Sequence, residues 1–171
     1  SFSMSIFTFD KWPSLPEALA SFAANCAAKL DNVRDEPQVG WVSGRHLLER
    51  RIDEETGVLG GHLYVNLRVA ERKIPPALLK AECRMEELAF IQSTGNVDVP
   101  RKVRSEIKKT VIEKRLPQMV PTISGIPMLV DATENTMYLG ATSTKQIDMF
   151  LEWVNMTVEV MPQPLDGASL L

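Results

Sequence analysis

Short runs that alternate apolar and polar residues are interleaved with longer runs at helical spacing, which predicts mixed α and β structure. Over Ser1–Phe9, Phe2, Met4 and Ile6 fall on one face and Phe7 and Phe9 on the other, as in a strand. Ser14-Leu-Pro-Glu17 has the form of a capping box, with Ser14 as N-cap and Glu17 three residues on. Leu15, Ala18, Leu19, Phe22, Cys26 and Leu30 share one face and predict a helix to about Leu30. Val39–Val42 predicts a short strand and Gly60-Gly61 a break. His62–Val69 predicts a strand with Leu63, Val65, Leu67 and Val69 inward and its polar partners wet.

Pro75-Pro76 opens a helix that the pattern carries to about Gln92 with a seam of Leu78, Ala81, Met85, Leu88 and Gln92, proline being tolerated in a first turn. After a loop holding Gly95-Asn96, a second helix runs from Pro100 to Leu116. Thr122–Asp131 and Thr136–Thr142 predict two strands joined around Thr133-Glu134-Asn135. Ser143 to about Asn155 predicts a helix and Thr157–Met161 a last strand, and residues 162–171 read as a flexible tail. The order is βαββα followed by αββαβ. It predicts an α+β fold: mainly antiparallel sheet with helices packed on one face. We expect one domain over residues 1–171, with lobes of about 1–95 and 96–165 as an option.

Composition narrows the function classes. A 171-residue chain with 44% apolar residues can bury a core without staples. Cys26 and Cys83 lie in helical apolar patterns and read as reduced core residues, which suits a cytoplasmic protein. No apolar run approaches the ~20 residues of a membrane span. The amino end shows no basic n-region, so export is not expected. The formal net charge of −3 argues against binding polyanions with the whole surface. Any nucleic-acid role must come from a patch.

PRKVRSEIKKTVIEKRL, residues 100–116, is that patch. It carries seven Lys and Arg against Glu106 and Glu113. At 100° per residue Val103, Ile107 and Val111 point inward. Arg101, Arg104, Lys108 and Arg115 cluster on an adjoining arc free of acid. Lys102 and Lys109 lie on the far side, expected to be partly neutralised by Glu106 and Glu113. Upstream, Arg68, Arg72, Lys73 and Lys80 form a weaker cluster. The plain alternative is a solvated helix face.

Signals of catalysis are poor. His46 and His62, the only histidines, sit in no metal spacing, and read as surface or strand-edge residues. Asp53, Glu54 and Glu55 beside Arg50 and Arg51 read as a solvated loop, and Asp131 as a turn residue. Phosphate-binding glycine loops, nucleophile elbows and CxxC pairs are absent from the sequence. Trp41 reads as core. No catalytic residue, metal site or cofactor is expected.

The chain resembles the amino-terminal half of the RdgC family of bacterial recombination-associated proteins. The matching blocks are Gly40-Trp41-Val42; Arg72-Lys73-Ile74-Pro75 with Leu78-Leu79-Lys80; the charged helix ending Arg115-Leu116-Pro117; Pro127–Asp131; Met137–Ala141; and Ser143-Thr144-Lys145. They keep order and spacing from about residue 38 to 165. Family members are longer, and Ser43–Gly61 finds no counterpart among these blocks. The resemblance implies a non-catalytic, cofactor-free binder of double-stranded DNA with little sequence preference. It also implies a ring-shaped homodimer or higher oligomer, restraint of the strand-exchange recombinase, and a place at the bacterial nucleoid in the cytoplasm. On that basis Arg101, Arg104, Lys108, Arg115, Lys73 and Lys80 are the phosphate-binding candidates. The second hypothesis is a protein-interaction or self-assembly module that keeps the fold without the DNA surface. It would associate through a sheet edge or around Met149, Leu151 and Met156.

Overall fold

In the computed structural model, which describes residues 3–165, the chain folds as eleven regular elements. Strand β1 (Ser5–Thr8) and helix α1 (Leu15–Ala24) are followed by β2 (Gln38–Ser43), β3 (Val58–Leu59) and β4 (His62–Glu71). Helices α2 (Pro76–Thr94) and α3 (Arg101–Arg115) come next, then β5 (Thr122–Asp131), β6 (Thr136–Leu139), α4 (Thr144–Val158) and β7 (Gln163–Pro164). The seven strands form one sheet in the order β2-β4-β5-β6-β1-β7, with β3 paired to β4. The β1–β6, β5–β6, β3–β4 and β1–β7 pairs are antiparallel. The fold is α+β, as the pattern predicts.

The chain divides into two compact units. The first comprises Ser1–Lys29, Gln38–Val69 and Ile123–Leu171, and contains the bulk of the sheet with α1 and α4. The second comprises Leu30–Pro37 and Ala70–Thr122, and contains α2 and α3. A boundary near residue 95 would fall inside this second unit, between its two helices.

Alternate strand residues build the core of the first unit. Phe7, Leu63, Val65, Leu67, Ile126, Met128, Val130, Met137 and Leu139 meet Ala18, Leu19 and Phe22 of α1 and Phe150 and Val154 of α4. Register keeps them on one face: Phe7 stands opposite Met137, and Met128 opposite Leu139. Trp41 is fully buried between Phe22 (ring centroids 4.6 Å) and Phe150 (5.2 Å). Its indole N–H donates to Thr157 Oγ1 at 2.8 Å, so the polar end is satisfied where the ring is dry. The core reading of Trp41 holds.

Several expected boundaries move. Ser14 caps α1, its Oγ accepting from the Glu17 N–H. The helix stops at Ala24, short of Leu30, because the chain leaves it to lie against β2. Ala27 N–H donates to Trp41 O at 2.8 Å and Trp41 N–H to Asn25 O at 3.2 Å. Gly40 permits this approach: a Cβ there would sit 2.4 Å from Ala27 Cα. The wet face expected for β4 is partly dry, since Asn66 and Arg68 are buried. Asn66 donates to Ser43 O and Gly44 O, and Arg68 to Leu47 O, Ala28 O and Gln38 Oε1. The segment after β2 thus folds back over that end of the sheet.

The last strand also shifts. Thr157 and Val158 remain helical, Glu159 ends α4 in the left-handed region at φ 56°, and the strand forms at Gln163–Pro164 against β1. Gln163 and Pro164 of the expected tail therefore belong to the sheet, and residues 166–171 lie outside the described residues. No helix among the described residues is long and apolar enough to cross a membrane.

Candidate nucleic-acid interface

The second unit presents the basic residues on a helix pair. Pro75 and Pro76 open α2, and Gly95 closes it at φ 73°, its N–H donating to Ile91 O. Pro100 then starts α3, accepting from the Arg104 N–H at 2.9 Å. Val111 is buried and Val103 and Ile107 half-buried, the inward arc expected of α3. The expected seam of α2 does not pack. Leu78, Met85 (71% exposed) and Leu88 face solvent, while Leu79, Glu82, Cys83, Glu87, Phe90 and Ile91 are the more buried residues. The two sets lie on opposite sides of a 100° helix. The packed set carries Glu82 and Glu87, which the arginines of α3 engage.

Between the helices runs a groove of about 810 Å³ floored by Pro76, Leu79 and Cys83. Its rim bears five cations, Lys80 and Arg84 from α2 and Arg101, Arg104 and Lys108 from α3, against one carboxylate, Glu87. A second hollow of about 410 Å³ lies along the same helices and has the opposite character: Glu82, Glu86 and Glu106 line it with a single cation, Lys114. The helix pair is electrostatically polar, cationic along one hollow and acidic along the other.

The six residues singled out by sequence divide here. Lys80, Arg101, Arg104 and Lys108 meet at the groove, and the first, second and fourth have no acid within ion-pair distance among the described residues. Arg104 Nε lies 3.1 Å from Glu87 Oε1. Arg115 shares their arc but is turned to Glu82, and also donates to Gln118 Oε1. Lys73 Nζ lies 2.9 Å from Glu71. Of the weaker upstream cluster, Arg68 is in the core and Arg72 is spent on backbone, donating to the carbonyls of Val33, Pro117 and Met119.

Lys102 and Lys109 make no direct ion pair with Glu106 or Glu113 within 4.0 Å among the described residues. Acids of α2 neutralise α3 instead. Arg84 and Glu87 were missed by sequence reasoning. Their signal was spacing: Lys80, Arg84 and Glu87 follow at i, i+4 and i+7, one face of α2.

Cys83 lies at the base of the groove, and burial, with Glu87 nearby, raises its thiol above the ordinary cysteine value. Both cysteines are unbridged. Elsewhere, His46 Nδ1 accepts from the Leu48 N–H and braces its own turn. Asp53 accepts from the Thr56 and Glu55 N–H groups, which with Arg51 lower its pKa. Asp131 accepts from the Thr133 and Glu134 N–H groups in the β5–β6 turn. Asp53 thus serves its own loop, and Asp131 braces its turn and also lies 4.0 Å from His62 Nδ1 of β4. Among the described residues no three His, Cys, Asp or Glu side chains are grouped to hold a metal ion.

Comparison with known proteins bears on this geometry. Residues 4–168 match the family described as "Putative exonuclease, RdgC". The chain belongs to the RdgC family. The match is wider than the blocks recognised in the sequence, and takes in Ser43–Gly61 as well as both groove helices. A curated RdgC, the recombination-associated protein RdgC of Pseudoalteromonas atlantica, is 23% identical over 103 residues. That stretch covers 60% of this chain and 34% of the relative, so the chain spans about a third of that RdgC's length.

Proposed function

We propose that this chain is a non-catalytic, sequence-independent binder of the DNA phosphate backbone that modulates homologous recombination, as its RdgC kinship suggests. The observation that supports it best is the groove between α2 and α3, where five cations converge from two helices around one acid. Flexible Lys and Arg on a shallow groove suit phosphates, which carry charge but no sequence information. Double-stranded DNA in the bacterial nucleoid is the ligand of this reading, and the recombinase a functional rather than a contacting partner. A homodimer or higher oligomer would bring two such grooves to one duplex.

A second reading has its own support. The outward stripe of α2, with Leu78, Ala81, Met85 and Leu88 at i, i+3, i+7 and i+10, is the pattern of a helix that pairs with another. It favours a protein-interaction or self-assembly module. The site first suggested for that role is less suitable, since Met149 and Leu151 pack against the core and only Met156 is well exposed.

Fluorescence anisotropy with two unrelated duplexes at two salt concentrations separates these readings. Backbone binding gives equal affinity for both sequences and a steep loss with salt. No binding at low salt, with a concentration-dependent increase in size on a column, supports the assembly module. The word exonuclease in the family's description sets a third arm. Release of nucleotides from a labelled duplex end in Mg²⁺ or Mn²⁺, abolished by EDTA, would overturn the non-catalytic reading.

A further inference from the structure

We infer that Glu87 is a built-in counter-ion that holds the place of a DNA phosphate in the groove and lowers its affinity for DNA. This rests on the backbone-binding reading and concerns the regulation of the same site.

Glu87 is the one acid lining the groove. Its side chain is only 15% exposed, yet its two oxygens meet two different arginines from two different helices. Oε1 lies 3.1 Å from Arg104 Nε and Oε2 3.9 Å from Arg84 Nη1. Both guanidinium side chains remain more than 60% exposed. A carboxylate bridging two forked cations presents two oxygens much as two non-bridging phosphate oxygens would. The two arginines thus converge on one oxyanion, and their outer faces stay open to solvent.

Lys80, Arg101 and Lys108 carry no such acid. They make first contact with the backbone, while Arg84 and Arg104 begin the encounter partly neutralised. An arriving phosphate must share those two arginines with a carboxylate that cannot leave. The Arg115–Glu82 pair is a different case: it lies outside the groove, both side chains are one-third exposed or less, and no duplex contact is expected of it.

Glu87→Gln tests this, because glutamine keeps an oxygen for Arg104 and removes the charge. Anisotropy on a labelled duplex at about 50 mM salt should show binding about three- to tenfold tighter than in the parent. The slope of log affinity against log salt should steepen by about 0.9, one further phosphate equivalent. Glu87→Ala should change affinity in the same direction. Glu113→Gln, on the exposed side of α3, alters net charge equally and should change affinity by less than about twofold. If the parent binds in a salt-dependent way and Glu87→Gln binds no better than Glu113→Gln, the counter-ion role is wrong and the binding reading stands. If neither parent nor variant binds at low salt, the binding reading itself fails, and the inference with it.

Discussion

Replacing Lys80, Arg101 and Lys108 together with glutamine removes the groove cations that no acid engages. The size of the effect follows from charge. Five rim cations less one carboxylate leave the groove equivalent to about four neutralised phosphates, a salt slope of about −3.6 on duplex DNA. Raising salt from about 50 to about 200 mM then weakens the parent by roughly 150-fold. The triple variant keeps about one equivalent, a slope near −0.9, and should lose only about three- to fourfold over the same range from a much weaker start. All three side chains are exposed and bury no partner, so thermal unfolding should be within about 1 kcal/mol of the parent. Anisotropy titrations on one duplex across four salt concentrations read the slope directly. Lys73→Gln and Lys109→Gln are the controls, the first tied to Glu71 and the second on the far side of α3. A triple variant with the parent's slope, or a control that loses as much, would refute the groove as the contact surface.

Other expectations concern the scaffold and the groove's field. Gly40→Ala drives a Cβ into the Ala27 backbone and should cost about 3 kcal/mol, read as a melting temperature lower by roughly 10 °C. Arg68→Ala empties a fully buried site and removes the donors to the carbonyls of Ala28 and Leu47, and should cost about 3 kcal/mol in urea unfolding, although it leaves DNA affinity unchanged. Cys83 should alkylate slowly at neutral pH and speed up only at pH above the ordinary thiol range, because burial and then Glu87 disfavour its thiolate. Peptide mapping should show faster alkylation of Cys83 in Glu87→Gln at the same pH.

The sequence reveals the elements more readily than the faces they bury. Alternation places β4, β5 and β6 and the inward residues Leu63, Val65 and Leu67 correctly, because a period of two leaves little choice when one side must be dry. It misleads at Asn66 and Arg68, whose polarity suggests water but whose donors are taken up by backbone carbonyls from distant segments. Helix α1 was overextended because Cys26 and Leu30 fit the period. What stopped it was a main-chain bond to Trp41, a contact no local pattern reports. In α2 the apolar stripe of Leu78, Met85 and Leu88 predicts the seam, and the structure turns the helix by about half a turn from it. The side that packs carries Leu79, Phe90 and Ile91 together with Glu82 and Glu87, which pair with arginines of α3, and Leu78, Met85 and Leu88 face out.

The candidate site was legible in the same uneven way. A net charge of −3 with a cationic stripe on α3 already pointed to a patch. Sequence could not show that Arg115 and Lys73 answer to acids of their own unit, or that Lys80 and Arg84 of α2 complete the groove. Pairings between helices depend on relative rotation, which charge counts along one helix do not fix.

Lysine footprinting tests the central claim most directly. The protein is acetylated lightly with and without a saturating duplex at low salt, and each lysine is quantified by mass spectrometry. DNA should protect Lys80 and Lys108 several-fold and leave Lys29, Lys109 and Lys145 unchanged. Protection spread evenly over all lysines, or absent from Lys80 and Lys108, would contradict the account.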